Sequence, residues 1–295
     1  MKYRFIKVNR SKFSVLKMCR ALQVSVSGYY GWNKRKKSNR EQFRDVLKLK
    51  IQELFYEKHG EMAGSHLITH DLHDNEEFKH VNRTLIALLM KEMGLRCKIQ
   101  KKFVVTTDSK HNEWISENLL NRNFNPPVPN TVIAGDITYL SVSSHWVYLS
   151  IFMDLYSRKI VGWDLSESLA AESTCKAFRK YLFKYGADEG LMVHSDRGVQ
   201  YASKEFRDVL GSIKAKQSMS RKGNCWDNAV VESFFHTLKT RLTHHRKYKT
   251  LGELNRDIYW YIEIYYNRVR KHSANNWLTP AQMESNYYKS IIEVA

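Results

Sequence analysis

Cysteine, proline and acidic charge are the scarce components of this sequence. Its 295 residues include only four cysteines and four prolines, and 30 acidic side chains stand against 48 basic ones. Cys19, Cys97, Cys175 and Cys225 are widely separated and form no CxxC pair. That spacing argues against a disulfide framework, favours a reducing compartment and offers no cysteine-based zinc motif. His66, His70, His73 and His80 cluster with no cysteine among them, a weak basis for a metal site. No apolar run approaches the roughly 18 residues of a membrane span. The opening MKYRFIKVNR has no hydrophobic signal core, so no membrane is expected. Internal repeats and low-complexity tracts are also missing, which removes repeat architectures.

What is present is enough to fold. Apolar residues make up 43%, with 17 tyrosines, 13 phenylalanines and seven tryptophans, so a chain disordered throughout is excluded. The length allows two domains, or one core with an appendage. A net charge of +18 favours polyanionic partners, nucleic acid first and an anionic membrane or acidic protein behind it. The charge is concentrated at the start: residues 1–60 hold 16 Lys/Arg against 4 Asp/Glu, a balance of +12. There FSVLKMCRAL reads as a short helix, and Ser25 is placed to cap a second one through SVSGYYGWNKRKK. Two short helices ending in Lys34, Arg35, Lys36 and Lys37 suit a DNA-reading helix-turn-helix. A helical hairpin with solvated lysines fits the same pattern equally well.

A third helical pattern covers 44–56, and a less clear one lies near 64–74. NRTLIALLMKEMGLR is sharper, with Asn82 as N-cap, an apolar stripe through Leu85, Ile86, Leu89, Met90 and Met93, and Gly94 as stop. From Cys97 periodicity fades, and RNFNPPVPN gathers three of the four prolines, which marks a boundary. The grammar then changes. Thr131–Leu140, Trp146–Asp154 and Arg158–Leu165 read as strands joined by short antiparallel connections. Helix at 173–185, strand at 191–193, helix at 203–210, strand at 213–217 and a long helix from about Cys225 follow. This order describes an α/β mixed sheet with helices packed on it.

Three carboxylates fall where packing residues are expected. Asp136 lies inside the first strand, Asp196 immediately after a short apolar strand, and Glu232 on the helix CWDNAVVESFFHTLK. Ionised carboxylates among apolar neighbours need a cation, and an all-oxygen set suits Mg²⁺ or Mn²⁺. On the last helix Asn224 is placed as N-cap with Asp227 as its capping-box partner. Asn228, Glu232 and His236 then recur every four residues on one stripe, with Lys239 a turn further on. Taken alone, the pattern also describes an ordinary amphipathic helix whose Glu232 faces water.

The stretch from FVVTTDSKHNEW to VGWDLS resembles the integrase-like core of bacterial insertion-sequence transposases of the second-reading-frame type. HSDRGVQYAS, SMSRKGNCWDNAVVESFFHTLK and YYNRVRKHSANNWLTP follow the same family's pattern in order. The resemblance extends to SVLKMCRALQVSVSGYYGW near the start. It implies an RNase H-like mixed-sheet catalytic core preceded by small all-helical DNA-binding regions, with an Asp-Asp-Glu triad at Asp136, Asp196 and Glu232. Thirty-five residues separate the last two, the spacing expected of the family. The implied domains are a basic helix-turn-helix-like region at 1–42 and a small helical DNA-binding domain at 43–100. A linker at 101–124, the catalytic core at 125–285 and a tail at 286–295 complete the chain. Three segments depart from the family's usual pattern. Ile133-Ala134-Gly135 precedes Asp136 where a tryptophan motif is usual, MAGSHLITHDL replaces an arginine-bearing segment, and Asn275 stands where a leucine is common.

The implied activity is DDE-type: nicking and strand transfer at the ends of an insertion sequence, using two Mg²⁺ ions per site with Mn²⁺ as substitute. The implied partners are double-stranded DNA, both terminal inverted repeats and target, and an upstream-frame helix-turn-helix protein or frameshift fusion. Assembly as a multimer on DNA, in the bacterial cytoplasm and at the nucleoid, goes with this reading. Candidate DNA contacts are Lys34, Arg35, Lys36, Lys37, Arg221, Asn228, His236, Lys239, Arg270 and His272. Ser195 and His194 are expected to position the loop and not to react, and Glu284 to sit inertly at the far edge of the core. The rival readings are a sequence-specific DNA-binding regulator, an RNase H-like nuclease that cuts without joining, and an inactive domesticated copy.

Overall fold

The computed structural model describes residues 1–97 and 114–294. The weakly periodic stretch around Thr106–Ser109 and most of the expected linker fall outside the described residues. Two compact units divide the chain, Met1–Glu53 and Leu54–Ala295. The break falls well before the proline-rich segment.

The first unit has four helices: α1 (Lys2–Asn9), α2 (Val15–Ala21), α3 (Val26–Lys34) and α4 (Asn39–Glu53). Ile6, Met18, Cys19 and Tyr29 form its small core. The Gly28 amide donates to Ser25 Oγ at 3.0 Å, so Ser25 caps α3 as its position suggested. α1 was not anticipated, because a single buried residue, Ile6, leaves little periodicity to read. α4 starts earlier than 44 because Ser38 and Glu41 form a reciprocal capping box. The Ser38 amide donates to Glu41 at 2.8 Å and the Glu41 amide to Ser38 Oγ at 3.3 Å.

The second unit opens with a π-helical turn, Leu54–Lys58, then α5 (Ser65–Leu72) and α6 (Arg83–Glu92). Asn82 caps α6, accepting from the Leu85 amide at 2.9 Å. Gly94 ends it with φ +71°, a conformation that favours glycine. Beyond residue 114 the trace is anything but a free linker: Leu120 is buried, and the Leu119 and Leu120 amides donate to Ser218 Oγ at 3.0 and 3.1 Å.

Five strands follow in the spatial order β3-β2-β1-β4-β5. They are β1 (Val132–Val142), β2 (His145–Asp154), β3 (Ile160–Ser166), β4 (Met192–Ser195) and β5 (Lys216–Met219). β1–β2 and β2–β3 pair antiparallel, β1–β4 and β4–β5 parallel. This is the expected RNase H-like mixed sheet. β5 begins later than read from sequence, because Ile213 closes the preceding helix and Lys214 turns with φ +56°. The helices are α7 (Ala171–Tyr185), α8 (Val199–Ala202), α9 (Lys204–Ser212), α10 (Ala229–Arg241), α11 (Leu251–Tyr259) and α12 (Pro280–Val294). A π-helical segment, Trp260–Val269, continues α11.

The two-residue period of the strands sorts side chains onto two faces. Ala134, Leu140, Leu149 and Ile151 pack with Val231, Phe234 and Leu238 of α10 and with Tyr261 and Tyr265. Ile133 and Phe152 pack on the other side with Phe178 of α7, Tyr201 and Phe206. Gly135 lies in β1 immediately before Asp136. A Cβ at Gly135 would stand 2.6 Å from Phe152 Cε1 and 3.2 Å from Tyr201 Cε1, so the strand can approach these rings only without a side chain. Among the described residues no helix is long and apolar enough to cross a membrane.

Candidate active site

Parallel pairing of β1 and β4 ends at Ala134↔His194. Asp136 stands two residues further along β1, on the face that α10 covers, and Asp196 follows the last residue of β4. The Ile137 amide donates to Asp136 Oδ1 at 2.8 Å, and the Gly198 amide to Asp196 Oδ1 at 2.9 Å. A Cβ at Gly198 would lie 3.0 Å from that same oxygen, which makes the turn after Asp196 fit glycine. Glu232 sits in the first turn of α10, one residue after the buried Val231 that packs on the sheet.

Electrostatics ties the three together. Burial, then the charges of Asp196 and Glu232, raise the Asp136 carboxyl well above its ordinary range, against the Ile137 amide and Lys239. Burial and Asp196 raise Glu232. Burial lowers Lys239, and Asp136 partly restores it. The site is therefore crowded with negative charge that one half-buried lysine does not neutralise. Among the described residues, no group of three His, Cys, Asp or Glu side chains is close enough to hold a metal as the side chains stand. The chemistry of the donor set, carboxylate oxygens short of positive charge, fits hard divalent ions.

What aligns α10 against these strands differs from the capping box expected of Asn224 and Asp227. Asn224 makes no side-chain cap, and a 3₁₀ turn, Cys225–Asn228, precedes the helix. Asp227 is fully buried and accepts five hydrogen bonds. Its partners are the Arg221 amide (3.0 Å), Arg221 Nε (3.0 Å) and Nη2 (3.2 Å), Arg122 Nε (2.8 Å) and Asn118 Nδ2 (2.8 Å). Burial alone would raise its pKa, but the Arg221 amide and the two guanidiniums outweigh it and hold the carboxyl far below the usual range.

His194 completes the arrangement. Its Nε2 meets the Asp227 carbonyl at 3.0 Å and its Nδ1 the Ser218 hydroxyl at 2.9 Å. A carbonyl only accepts, so the proton is on Nε2 and Nδ1 receives the hydroxyl. Burial pushes the ring down to about 4, leaving it neutral and structural. Ser195 Oγ donates to the Asp196 carbonyl at 2.9 Å, a turn bond. Sequence reasoning missed this role of Asp227: Arg221 lies six residues before it, but Arg122 lies 105 residues away.

The DNA-contact candidates scatter. Asn228 is buried and its amide donates to the Gly135 carbonyl at 3.3 Å, which ties the start of α10 to the residue before Asp136. Arg221 is engaged by Asp227. His236 is exposed and Lys239 half-buried on α10. Arg270 and His272 line a separate cavity beside the start of α5. Lys34 to Lys37 belong to the first unit, where α3 ends at Lys34 and Arg35 is extended. Glu284 pairs with Lys159, both side chains being largely buried.

A mixed sheet presenting two strand carboxylates and a helix carboxylate defines the integrase-like class of enzymes. Family models agree: "Integrase core domain" matches residues 126–225 and again 213–280, and "HTH-like domain" matches 42–103. The chain is 39% identical over 272 residues to the insertion element IS600 31 kDa protein of Shigella sonnei, covering 92% of this chain and 99% of that one. It is 36% identical over 287 residues to transposase InsF for insertion sequence IS3A of Escherichia coli, covering 97% and 99%. The chain belongs to this IS3/IS600 family of insertion-sequence transposases. Among solved structures, the HTLV-2 integrase catalytic core domain in complex with magnesium is similar with TM-score 0.41 and 18% identity, over 54% of this chain and 98% of that one. A simian T-cell lymphotropic virus intasome is similar with TM-score 0.45 and 16% identity, over 73% and 74%.

Proposed function

We propose that this transposase nicks and joins DNA at the ends of its insertion sequence, by divalent-metal-dependent phosphoryl transfer at Asp136, Asp196 and Glu232. The observation that carries this reading is the placement of Asp136 inside β1 on the face covered by α10, where the charges of Asp196 and Glu232 act on it. The three would hold two Mg²⁺ ions, or Mn²⁺, which when bound activate the attacking oxygen and stabilise the leaving oxygen of an in-line displacement. The protein's own part is to aim. β1 and the turn after β4 carry two carboxylates, while Asn228, Asp227 and His194 fix the start of α10 and hence the third. Lys239, lowered by burial against the opposing pull of Asp136, suits a phosphate oxygen beside the scissile bond. With Ser195 engaged in its turn, water serves as nucleophile for nicking and a DNA 3′-hydroxyl for joining.

The first unit, with Lys34 to Lys37, and the segment 43–100 serve in this reading to bind the terminal inverted repeats. His236, next along the Glu232 stripe, faces the DNA channel. An upstream-frame partner or fusion, assembly as a multimer on DNA and a cytoplasmic, nucleoid-associated setting complete it. The test is Glu232→Gln in Mg²⁺ or Mn²⁺, with the upstream partner and DNA carrying the true element ends. Nicking and joining should fall together to background while end binding persists, because one centre serves both nucleophiles. Glu189→Gln, on an exposed loop, should change neither. Joining at the wild-type rate by Glu232→Gln would falsify the assignment. Cutting without joining by the wild type would instead favour a nuclease, and binding without chemistry a regulator or an inactive copy.

A further inference from the structure

Away from the carboxylates, the second unit contains a cavity of about 340 Å³ with a strongly cationic wall. One side is the start of α5, residues 64–67; the other carries Arg241, Arg270, Lys271 and His272. No acidic residue lines it. The cations are not equally occupied. Lys271 Nζ is bound to both oxygens of Asp74 at 2.7 Å and to the His70 carbonyl at 2.9 Å. Arg241 donates to the Met62 carbonyl. Arg270 differs: its Nε is shut away from solvent with no hydrogen-bond partner, and its guanidinium lies 5.9 Å from the Tyr266 ring centroid. Among the described residues no carboxylate pairs with it. A guanidinium on the cavity wall with no carboxylate partner leaves donors for an anion.

The rest of the lining supplies donors. His272 Nδ1 accepts from the Ala274 amide at 3.2 Å, and burial with the charges of Arg270 and Arg158 pushes the ring down to about 4. At neutral pH its single proton is therefore on Nε2. Opposite, Gly64 caps α5 without a side-chain bond. The first amide of this helix with a backbone partner is Ile68, donating to the Gly64 carbonyl at 3.1 Å. The Ser65, His66 and Leu67 amides are left at the positive end of the helix. His66 Nε2 faces Arg83 Nη1 at 2.5 Å; since arginine only donates, the ring's own proton is on Nδ1.

We propose that this cavity binds one phosphate of the DNA backbone, gripped between the start of α5 and Arg270 with His272. The inference rests on the DNA-transposase reading above and adds a site remote from the chemistry. A phosphodiester carries one negative charge and two free oxygens, which a guanidinium on one wall and helix amides on the other can share. Such a contact sets the register of the duplex without reading its sequence. It would lock the helical segment matched by the HTH-like family to the segment that follows the core's π-helix, across the same strand of DNA.

The test uses the full chain and a random-sequence duplex, titrated by fluorescence anisotropy over a range of salt in EDTA. Arg270→Gln should weaken binding roughly tenfold and flatten the log-affinity against log-salt slope by about 0.9, the signature of one lost phosphate contact. Arg270→Lys should restore the slope. Ser65→Pro removes one amide without changing charge. Proline is tolerated at the first helical position, and Gly64 before it is already extended at φ −93°, ψ 174°. This variant should weaken binding with an unchanged slope, and it carries the test if Arg270→Gln fails to fold. Wild-type affinity and slope in both variants would overturn the inference while wild-type binding kept the transposase reading intact. A wild type that binds no duplex would overturn that reading itself. Inorganic phosphate is the second arm. Millimolar phosphate, at constant ionic strength, should compete with DNA on the wild type and not on Arg270→Gln. Phosphate bound through Arg270 with no effect of Arg270→Gln on DNA would make the site one for free phosphate, and the DNA assignment would fall.

Discussion

Replacing Asp227 by Asn probes the joint that holds α10, and its consequence can be sized from the contacts. The carboxylate is fully buried and accepts five hydrogen bonds, three of them from the guanidiniums of Arg122 and Arg221. Asn is nearly the same size but carries one acceptor and one amide donor, so every orientation points N–H groups at N–H groups. Removing one member of a fully buried ion pair costs about 3–5 kcal/mol. Here both arginines are nearly half exposed, so water can take up part of their charge and a smaller cost, about 2–3 kcal/mol, applies. For a unit of this size that corresponds to a fall in Tm of roughly 4–12 °C, measurable by calorimetry or by urea unfolding of the whole chain. The same loss acts on chemistry. With the turn before α10 loosened, Glu232 loses its alignment, and a displacement near 1 Å costs about 100-fold in rate. Joining should therefore fall further than DNA binding. Acid should reproduce part of the effect. A carboxyl held below its ordinary pKa of about 3.9 stabilises the fold at all pH values above that, and the contribution is lost as pH falls through the lowered value. If Asp227→Asn unfolds within 0.5 kcal/mol of the wild type, as judged against the scatter of surface substitutions, the joint does not carry this role.

Gly135→Ala should cost about 1–3 kcal/mol, because its methyl would meet the Phe152 ring at 2.6 Å in a packed core; a urea midpoint at the wild-type value would refute the close approach. The half-buried His272 ring, pushed down to about 4, binds its proton less readily folded than unfolded. Its contribution is therefore complete above the unfolded pKa near 6.5 and is lost as pH falls from there toward 4. Urea midpoints measured across that range should drop for the wild type and drop less for His272→Gln. Breaking the largely buried Lys159 pair with Glu284→Gln should lower stability by about 2–4 kcal/mol, and an unchanged thermal transition would count against it.

Much of this was legible because it is local or periodic. β1 to β3 are apolar-rich runs of 7 to 11 residues, long enough to read, and the caps at Ser25 and Asn82 act on amides three residues away. The two strand aspartates stood out as carboxylates in apolar runs. What stayed hidden depends on distance in the chain. Asp227 looked like half of a local capping box, since nothing within a turn of it announces Arg122 or Asn118. The division between Glu53 and Leu54 falls where α4 passes directly into a π-helical turn, with no glycine or proline to mark it. The prolines of NPPVPN marked a change of grammar, from helices to sheet, and the chain's compact units are cut elsewhere. Arg270 and His272 were singled out by type, but only the fold shows that they face α5 and not the carboxylates.

The segment from Trp114 to Phe124 has a practical consequence. Its Leu120 side chain is part of the same apolar cluster as α10, its amides hold Ser218, and Asn118 with Arg122 holds Asp227. A fragment trimmed to begin at residue 125, as the strand pattern invites, would discard all of these at once. It would keep every carboxylate and still lack the strap that ties the third to the first two. Such a fragment should express as a loosened sheet with an exposed apolar seam and little catalytic competence. One that begins at Trp114 retains the strap.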